Sequence, residues 1–320
     1  MFGRFFMNIN IFRNEIADRL GGTSSEAVLT FFQQNPEMLQ GAGEIRIRTG
    51  LPLCVSSKNN NYFISVTGKK VSAENAYKPS KYEVNNIFTR VCRNSLYAFK
   101  EDIKSGFVTL PGGHRVGIAG KILPDGSIYD VSSLNIRISR EIKNCSLKIL
   151  RHIIRNKYDI YNTLIISPPV CGKTTIIRDL ARILGTGCSE PEFSGVNVGL
   201  IDERSEIAAC YQGIPTNDVG VLTDVYDSCP KAKGILMMIR TMAPKIIITD
   251  ELGGSGDAAV ITCAMNAGVR IIATAHGYSY DDMSVRKEIR EMIENGIFER
   301  YITLSNKHGP GTVEEIRGDI

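Results

Sequence analysis

The residues most able to do chemistry begin at Gly172-Lys173-Thr174-Thr175, which follows an apolar run at 163–166 and precedes a helical pattern at 176–184. Strand, loop, Gly-Lys-Thr and helix together are the context of a phosphate-binding loop, a Walker A motif. Backbone N–H groups of the loop and of the helix N-terminus would point at nucleotide phosphates. Lys173 would reach the β- and γ-phosphates as a point charge, and Thr174 would offer a hydroxyl to Mg²⁺. The phosphate-binding residues are therefore read as Val170, Cys171, Gly172, Lys173, Thr174 and Thr175, with Gly185 as the C-cap that ends the helix. Two positions depart from the consensus. Ser167 stands where the motif opens with Gly, and Val170 stands where loops of this type carry Gly. If the chain must take φ > 0 at Val170, a β-branched side chain costs roughly 1–2 kcal/mol. Either the loop bends there under strain, or it relaxes and opens away from the phosphate.

A second apolar run, 245–249, ends in Asp250-Glu251. An acidic pair at a buried strand end is the Walker B arrangement: Asp250 would hold Mg²⁺ and Glu251 would orient and deprotonate the attacking water. A third run, 196–201, ends in Asp202-Glu203-Arg204-Ser205-Glu206, and a fourth, 270–275, ends in His276-Gly277. Parallel strands gather their C-terminal ends on one edge, where ligands bind. Glu203 and Glu206 are then candidates to face the γ-phosphate, although acids at a helix N-terminus are also favoured by the dipole. His276 fits equally a structural role and a hydrogen bond near the γ-phosphate.

These runs need elements to position them. From about residue 145, near-continuous apolar strands alternate with helical segments, which means a parallel sheet covered on both faces. The preceding residues differ. Residues 12–40 read as helical pieces, 44–48 alternate with period two, and 62–66 is a further strand candidate. Ser80 and Glu83 form a capping box that opens a helix. Runs at 107–110, 115–122 and 128–138 read as antiparallel strands joined by turns at 111–113 and 124–126. The 320 residues thus divide into an α+β N-terminal domain (1–145) and an α/β P-loop domain (146–320), with the boundary between 141 and 158.

The formal charge of +4 gives no strong push toward nucleic acid or membrane by bulk electrostatics. The eight cysteines form no Cys-x-x-Cys pair and suggest a reducing, cytoplasmic setting. No apolar run approaches the roughly 18 residues that span a bilayer. The apolar start, 1–7, reads as a segment docking on its own domain rather than as a secretory signal.

The four strand-end motifs, taken in order, resemble the bacterial secretion ATPases of type II, type IV and pilus systems. That family carries Walker A, an Asp box, Walker B and a His box, matched here by 172–175, 202–206, 250–251 and 274–277. Segments 44–53, 133–141, 201–209 and 229–232 are similar in addition to the stage III sporulation protein AA family within it. The resemblance implies a RecA-like core, ATP with Mg²⁺, and a hexameric homo-oligomer. It further implies a motor on the cytoplasmic face of a membrane, held there through integral membrane subunits of a channel between mother cell and forespore. It implies too that arginines of the N-terminal domain approach a nucleotide between subunits, which makes Arg115, Arg137 and Arg140 candidates. Arg240, just before the Walker B strand, is a fourth. Besides Val170, the chain departs from the sporulation pattern at Leu222, where Arg is expected, and from many secretion ATPases in having Asp250 rather than Gly. Two other classes compete: a single-stranded nucleic-acid ATPase, and a weakly active structural subunit. Nucleic acid is not expected, because no basic stripe interleaves with aromatics and no further nucleic-acid module follows the last predicted strand.

Overall fold

The computed structural model describes residues 7–58, 60–139, 141–254 and 256–318. They form two compact units, one ending at Arg140 and one beginning at Glu141. Residues 141–145, placed with the first domain by composition, belong with the second unit. Asp179 of the helix Lys173–Thr186 explains this, since it accepts the N–H groups of Asn144 (2.9 Å) and Ser146 (2.8 Å).

The N-terminal unit is built on one antiparallel sheet. Its strands are β1 (Ala42–Arg48), β2 (Cys54–Ser57), β3 (Asn60–Ile64), β4 (Lys70–Val71), β5 (Phe107–Thr109), β6 (Arg115–Ile122) and β7 (Ile128–Arg137), in the order β4-β3-β2-β1-β7-β6-β5. Period-two alternation sends Ile45, Ile47, Val116, Leu134 and Ile136 into a core with the helices Gly22–Gln34 and Lys81–Val91. The opposite face carries Glu44 and Arg46 of β1, Arg137 of β7 and Arg115 of β6. The capping box is only half formed. Ser80 Oγ accepts the Glu83 N–H (3.1 Å), but the Glu83 carboxylate turns away to the Ser24 N–H (2.7 Å) and the Tyr77 hydroxyl (2.6 Å). The Ser24 N–H, 59 residues away, and the nearby Tyr77 hydroxyl outcompete the local donor.

The C-terminal unit holds a short hairpin, β8 (Ile154–Asn156) and β9 (Asp159–Ile160), and a seven-stranded sheet. That sheet comprises β10 (Thr163–Ser167), β11 (Val198–Asp202), β12 (Thr223–Asp227), β13 (Ile246–Thr249), β14 (Arg270–His276), β15 (Arg300–Ser305) and β16 (Thr312–Arg317). Its order is β12-β11-β13-β14-β10-β15-β16, with only β16 antiparallel to its neighbour. Each face has its own apolar layer, as continuous apolar strands require. The Lys173–Thr186 helix packs with Ile165, Leu200, Ile248 and Ile272 on one face. Helices Lys231–Thr241, Asp257–Asn266 and Lys287–Glu294 pack with Leu164, Ile166, Ile247 and Ile271 on the other. The edge strand β12, polar and half-buried, has no apolar signature and is not evident from periodicity. Gly185 lies inside the helix, which continues to Thr186. The residue that ends it is Gly187, at φ 93°.

Candidate active site

Strand order decides which motifs meet. β14 lies between β10, which carries the phosphate loop, and β13, which carries the acidic pair. His276, at the end of β14, therefore stands between Lys173 and Glu251. Its Nδ1 is 2.8 Å from Lys173 Nζ, and its Nε2 is 3.3 Å from Glu251 Oε1. An ammonium only donates, so Nδ1 is the acceptor and the ring proton sits on Nε2, facing the carboxylate. Glu251 Oε2 is also 2.6 Å from Arg204 Nη1.

Lys173 is folded back over its own loop and donates to Ser167 O (2.8 Å) and Pro168 O (3.3 Å). Burial holds its pKa below the usual lysine range. The loop bends at Val170, with φ 62°, and again at Gly172, with φ 84°. Of the two outcomes open from sequence, the strained one is found. Val170 is 88% exposed, so no packing offsets that strain. The bend is pinned behind it, where Cys171 O accepts the Gly311 N–H at 2.8 Å. Thr174 and Thr175 open the helix, and Cys145 Sγ lies 3.6 Å from Thr175 O. A cavity of about 180 Å³ adjoins this turn, lined by Ile142, Cys145, Lys148, Thr175 and Pro310 among others.

Asp202 is fully buried and accepts the N–H groups of Glu206 (2.8 Å), Ile207 (2.9 Å) and Ala208 (2.8 Å). Burial raises its pKa while those three donors pull it down. It organises the loop; it does not face solvent. Arg178 of the phosphate-loop helix ties the same loop down through Ile207 O (2.6 Å). Of the two candidate acids there, Glu203 reaches toward Lys231, 3.8 Å away, while the main chain of Glu206 is held by Asp202 and Arg178.

Arg240 is not brought to this cluster. It sits in the last turn of the helix whose first residue, Lys231, touches Glu251, so it lies at the far end of that helix. Arg115 and Arg137 face each other across β6 and β7 in the N-terminal unit, Arg115 also stacking 4.5 Å from the Phe107 ring. Arg140 lies outside the described residues.

The family model for sporulation stage III, protein AA matches residues 13–319. The chain is also 38% identical to stage III sporulation protein AA of Bacillus subtilis over 307 residues, covering 95% of this chain and 94% of that one. The chain belongs to the stage III sporulation protein AA family. In fold, this family member is similar to the pilus retraction motor PilT solved with ADP (TM-score 0.61, 13% identity, 92% of this chain and 83% of that one). It is similar as well to the ATPase DotB of Legionella pneumophila (TM-score 0.55, 15% identity, 85% and 74%). The C-terminal unit thus has the RecA-like core of secretion ATPases.

Asp250 distinguishes the site chemically. Its residue is 8% exposed, no hydrogen bond or close ion pair reaches its carboxylate among the described residues, and burial, with Asp202 nearby, pushes its pKa up to about 6 against the weaker pull of Lys231 and Arg204. An anion held this way suits a divalent cation. Among the described residues no group of three or more His, Cys, Asp or Glu forms a complete metal shell. Mg²⁺ at phosphate sites needs only one or two protein ligands, the rest being phosphate oxygens and water.

Two residues that lie in quoted motifs, but to which the sequence assigned no role, frame Glu251. Its backbone sits at φ 36°, rare for a non-glycine. Thr274 Oγ1 accepts its N–H (2.9 Å), and Lys231 Nζ donates to its carbonyl (2.6 Å). Lys231 is 6% exposed and opens the helix after β12, so its position became legible only once that strand was known.

Proposed function

We propose that this chain is an ATP hydrolase that drives a sporulation-specific secretion or channel complex. The reading is carried by one observation: Lys173, His276 and Glu251 form a contiguous chain at one sheet edge, beside the buried carboxylate of Asp250. The phosphate loop would bind the triphosphate, and Lys173 would leave Ser167 O and His276 to reach its γ-phosphate. Thr174 and Asp250 would hold Mg²⁺, which supplies charge neutralisation at the phosphates. Glu251, released from Arg204, would take a proton from water while the water oxygen attacks the γ-phosphorus and the bond to the bridging oxygen breaks. Glu203, near enough to Asp250 to raise its pKa, would be the alternative base on that edge. His276 would report the γ-phosphate through its two nitrogens.

A homo-oligomeric ring, hexameric as in the secretion family, belongs to the same proposal. So do integral membrane partners at the cytoplasmic face, and Arg115, Arg137 and Arg140 as arginines offered across subunits. Among the described residues no helix is long and apolar enough to cross a membrane. The test is steady-state ATP turnover with Mg²⁺, followed alongside sedimentation of the same sample. Turnover abolished by Glu251→Gln, in a sample that forms rings, supports the reading. Turnover equal in wild type and variant would move the base from Glu251 to another acid of that edge, Glu203 first. Rings without any turnover would favour a structural subunit.

A further inference from the structure

One cavity of the C-terminal unit lies away from the phosphate loop. It measures about 730 Å³ and gathers Tyr161 just before β10, the start of β15, the end of β16 and Tyr280 of the helix Tyr280–Ser284. The phosphate loop follows the end of β10, so the cavity opens at the opposite edge of the sheet. Its volume falls in the range of small-molecule pockets, roughly 300–1,000 Å³.

Arg300 is the unusual group in its wall. The residue is 5% exposed and its guanidinium stacks 3.8 Å from the centre of the Tyr161 ring. It donates to the backbone oxygen of Glu299 (2.9 Å), and no carboxylate pairs with it among the described residues. A guanidinium has five N–H donors. None of the Arg300 nitrogens is among the side-chain atoms sealed from solvent without a partner, so its spare donors open into the cavity. A buried cation left in this state is costly unless something anionic completes it. The neighbouring arginines are already engaged. Arg155 lies near Glu299 (3.5 Å) and Asp159 (3.8 Å), and Arg317 pairs with Asp281 (3.1 Å) and Glu315 while stacking on Tyr280. The acids thus neutralise the rim and leave Arg300 as the unbalanced charge. Facing it, Ile293, Phe298, Tyr280 and Tyr301 make an apolar, aromatic wall, with the Tyr280 and Tyr301 rings edge-on at 4.8 Å.

We propose that this cavity is a second binding site, distinct from the phosphate loop, for a small organic anion: a phosphomonoester or carboxylate head on Arg300, and a flat apolar body against the tyrosines. One anionic head with one planar body matches one guanidinium that lacks a carboxylate in a cavity that also has an aromatic wall.

The test is calorimetry with two probes, phenyl phosphate and benzoate, on a Lys173→Ala background that disables the phosphate loop. Saturable binding of either probe is expected to survive Lys173→Ala and to weaken about tenfold or more in Arg300→Gln, the scale of a lost charge-assisted hydrogen bond. The tighter probe identifies the head group. Inorganic phosphate should bind more weakly than phenyl phosphate, because the aromatic wall then contributes nothing. Should Arg300→Gln fail to fold, Ile293→Trp, which fills the cavity from its partly buried wall, must also abolish binding. No saturable binding of either probe, or binding unchanged in a folded Arg300→Gln or Ile293→Trp protein, overturns the proposal. So does binding lost with Lys173→Ala alone, which would return both probes to the phosphate loop.

Discussion

Lys173 Nζ and His276 Nδ1 lie 2.8 Å apart, so the ammonium that would grip a phosphate is parked on an imidazole and on Ser167 O. A γ-phosphate competes with these acceptors for the same three donors. His276→Ala removes one competitor but also the bridge to Glu251. Equilibrium ATP binding is expected to hold or tighten, while turnover falls about tenfold or more. Weaker ATP binding with normal turnover would mean that His276 contacts the substrate only as an anchor.

Glu251→Gln keeps the shape of the side chain but not its basicity. ATP binding should persist and turnover fall at least ~100-fold, the usual scale for loss of a general base. Single-turnover chemical quench measures the step directly. An undiminished rate would move the base to Glu203.

Lys231→Met removes the donor on the Glu251 carbonyl and leaves the φ of 36° unsupported. A displaced base costs about 10–100-fold in turnover. ATP affinity should stay near wild type, since Lys231 touches neither the loop nor Thr174. Restoration by Lys231→Arg would support a hydrogen-bonding role, and equal affinity loss and rate loss would contradict it.

Val170→Gly separates two places where strain could act. A loop that keeps φ 62° at Val170 with and without nucleotide carries the cost in the folded chain rather than in the binding step. Relief of roughly 1–2 kcal/mol, less about 0.5–1 kcal/mol for the greater freedom of unfolded Gly, leaves a gain of about 0–1.5 kcal/mol. Thermal unfolding should rise by a few degrees at most, with ATP affinity unchanged by calorimetry. A 5–30-fold tightening, the factor that matches roughly 1–2 kcal/mol, would show instead that Val170 is strained only when phosphate binds.

Asp250 titrates with a pKa raised from 3.8 to about 6. A carboxyl with a raised folded pKa binds its proton more tightly when folded. Its contribution to stability is therefore greatest below about pH 4, falls as pH rises to about 6, and is a full cost above that. The shift corresponds to ~3 kcal/mol at neutral pH. Metal-free Asp250→Asn should then melt higher than wild type at pH 7.5, and the difference should shrink as pH falls toward 5. A difference independent of pH would mean that the carboxylate is not buried as an anion.

Much of the architecture was legible because it depends on local order. The period-two run at 44–48, the turns at 111–113 and 124–126, and the apolar strands around 163–166 and 245–249 announce themselves through spacing alone, and β6 falls at 115–122 as its alternation predicts. The positive φ at Val170 could be posed as a question from the motif, since a phosphate loop must curl, but only the structure chose the bent answer. What sequence could not give depends on neighbours far away in the chain. The order β13-β14-β10 sets His276 between Lys173 and Glu251, residues 103 and 25 positions from it (276 − 173 and 276 − 251). Lys231 lay in the segment 229–232 that carries the family resemblance but had no role read for it, and the strand that Arg300 opens was not read at all. Sequence fixes which side chains a strand end carries, because that is a matter of period. Which strand ends lie side by side is settled by packing two faces of one sheet at once, and only that brought these charges together.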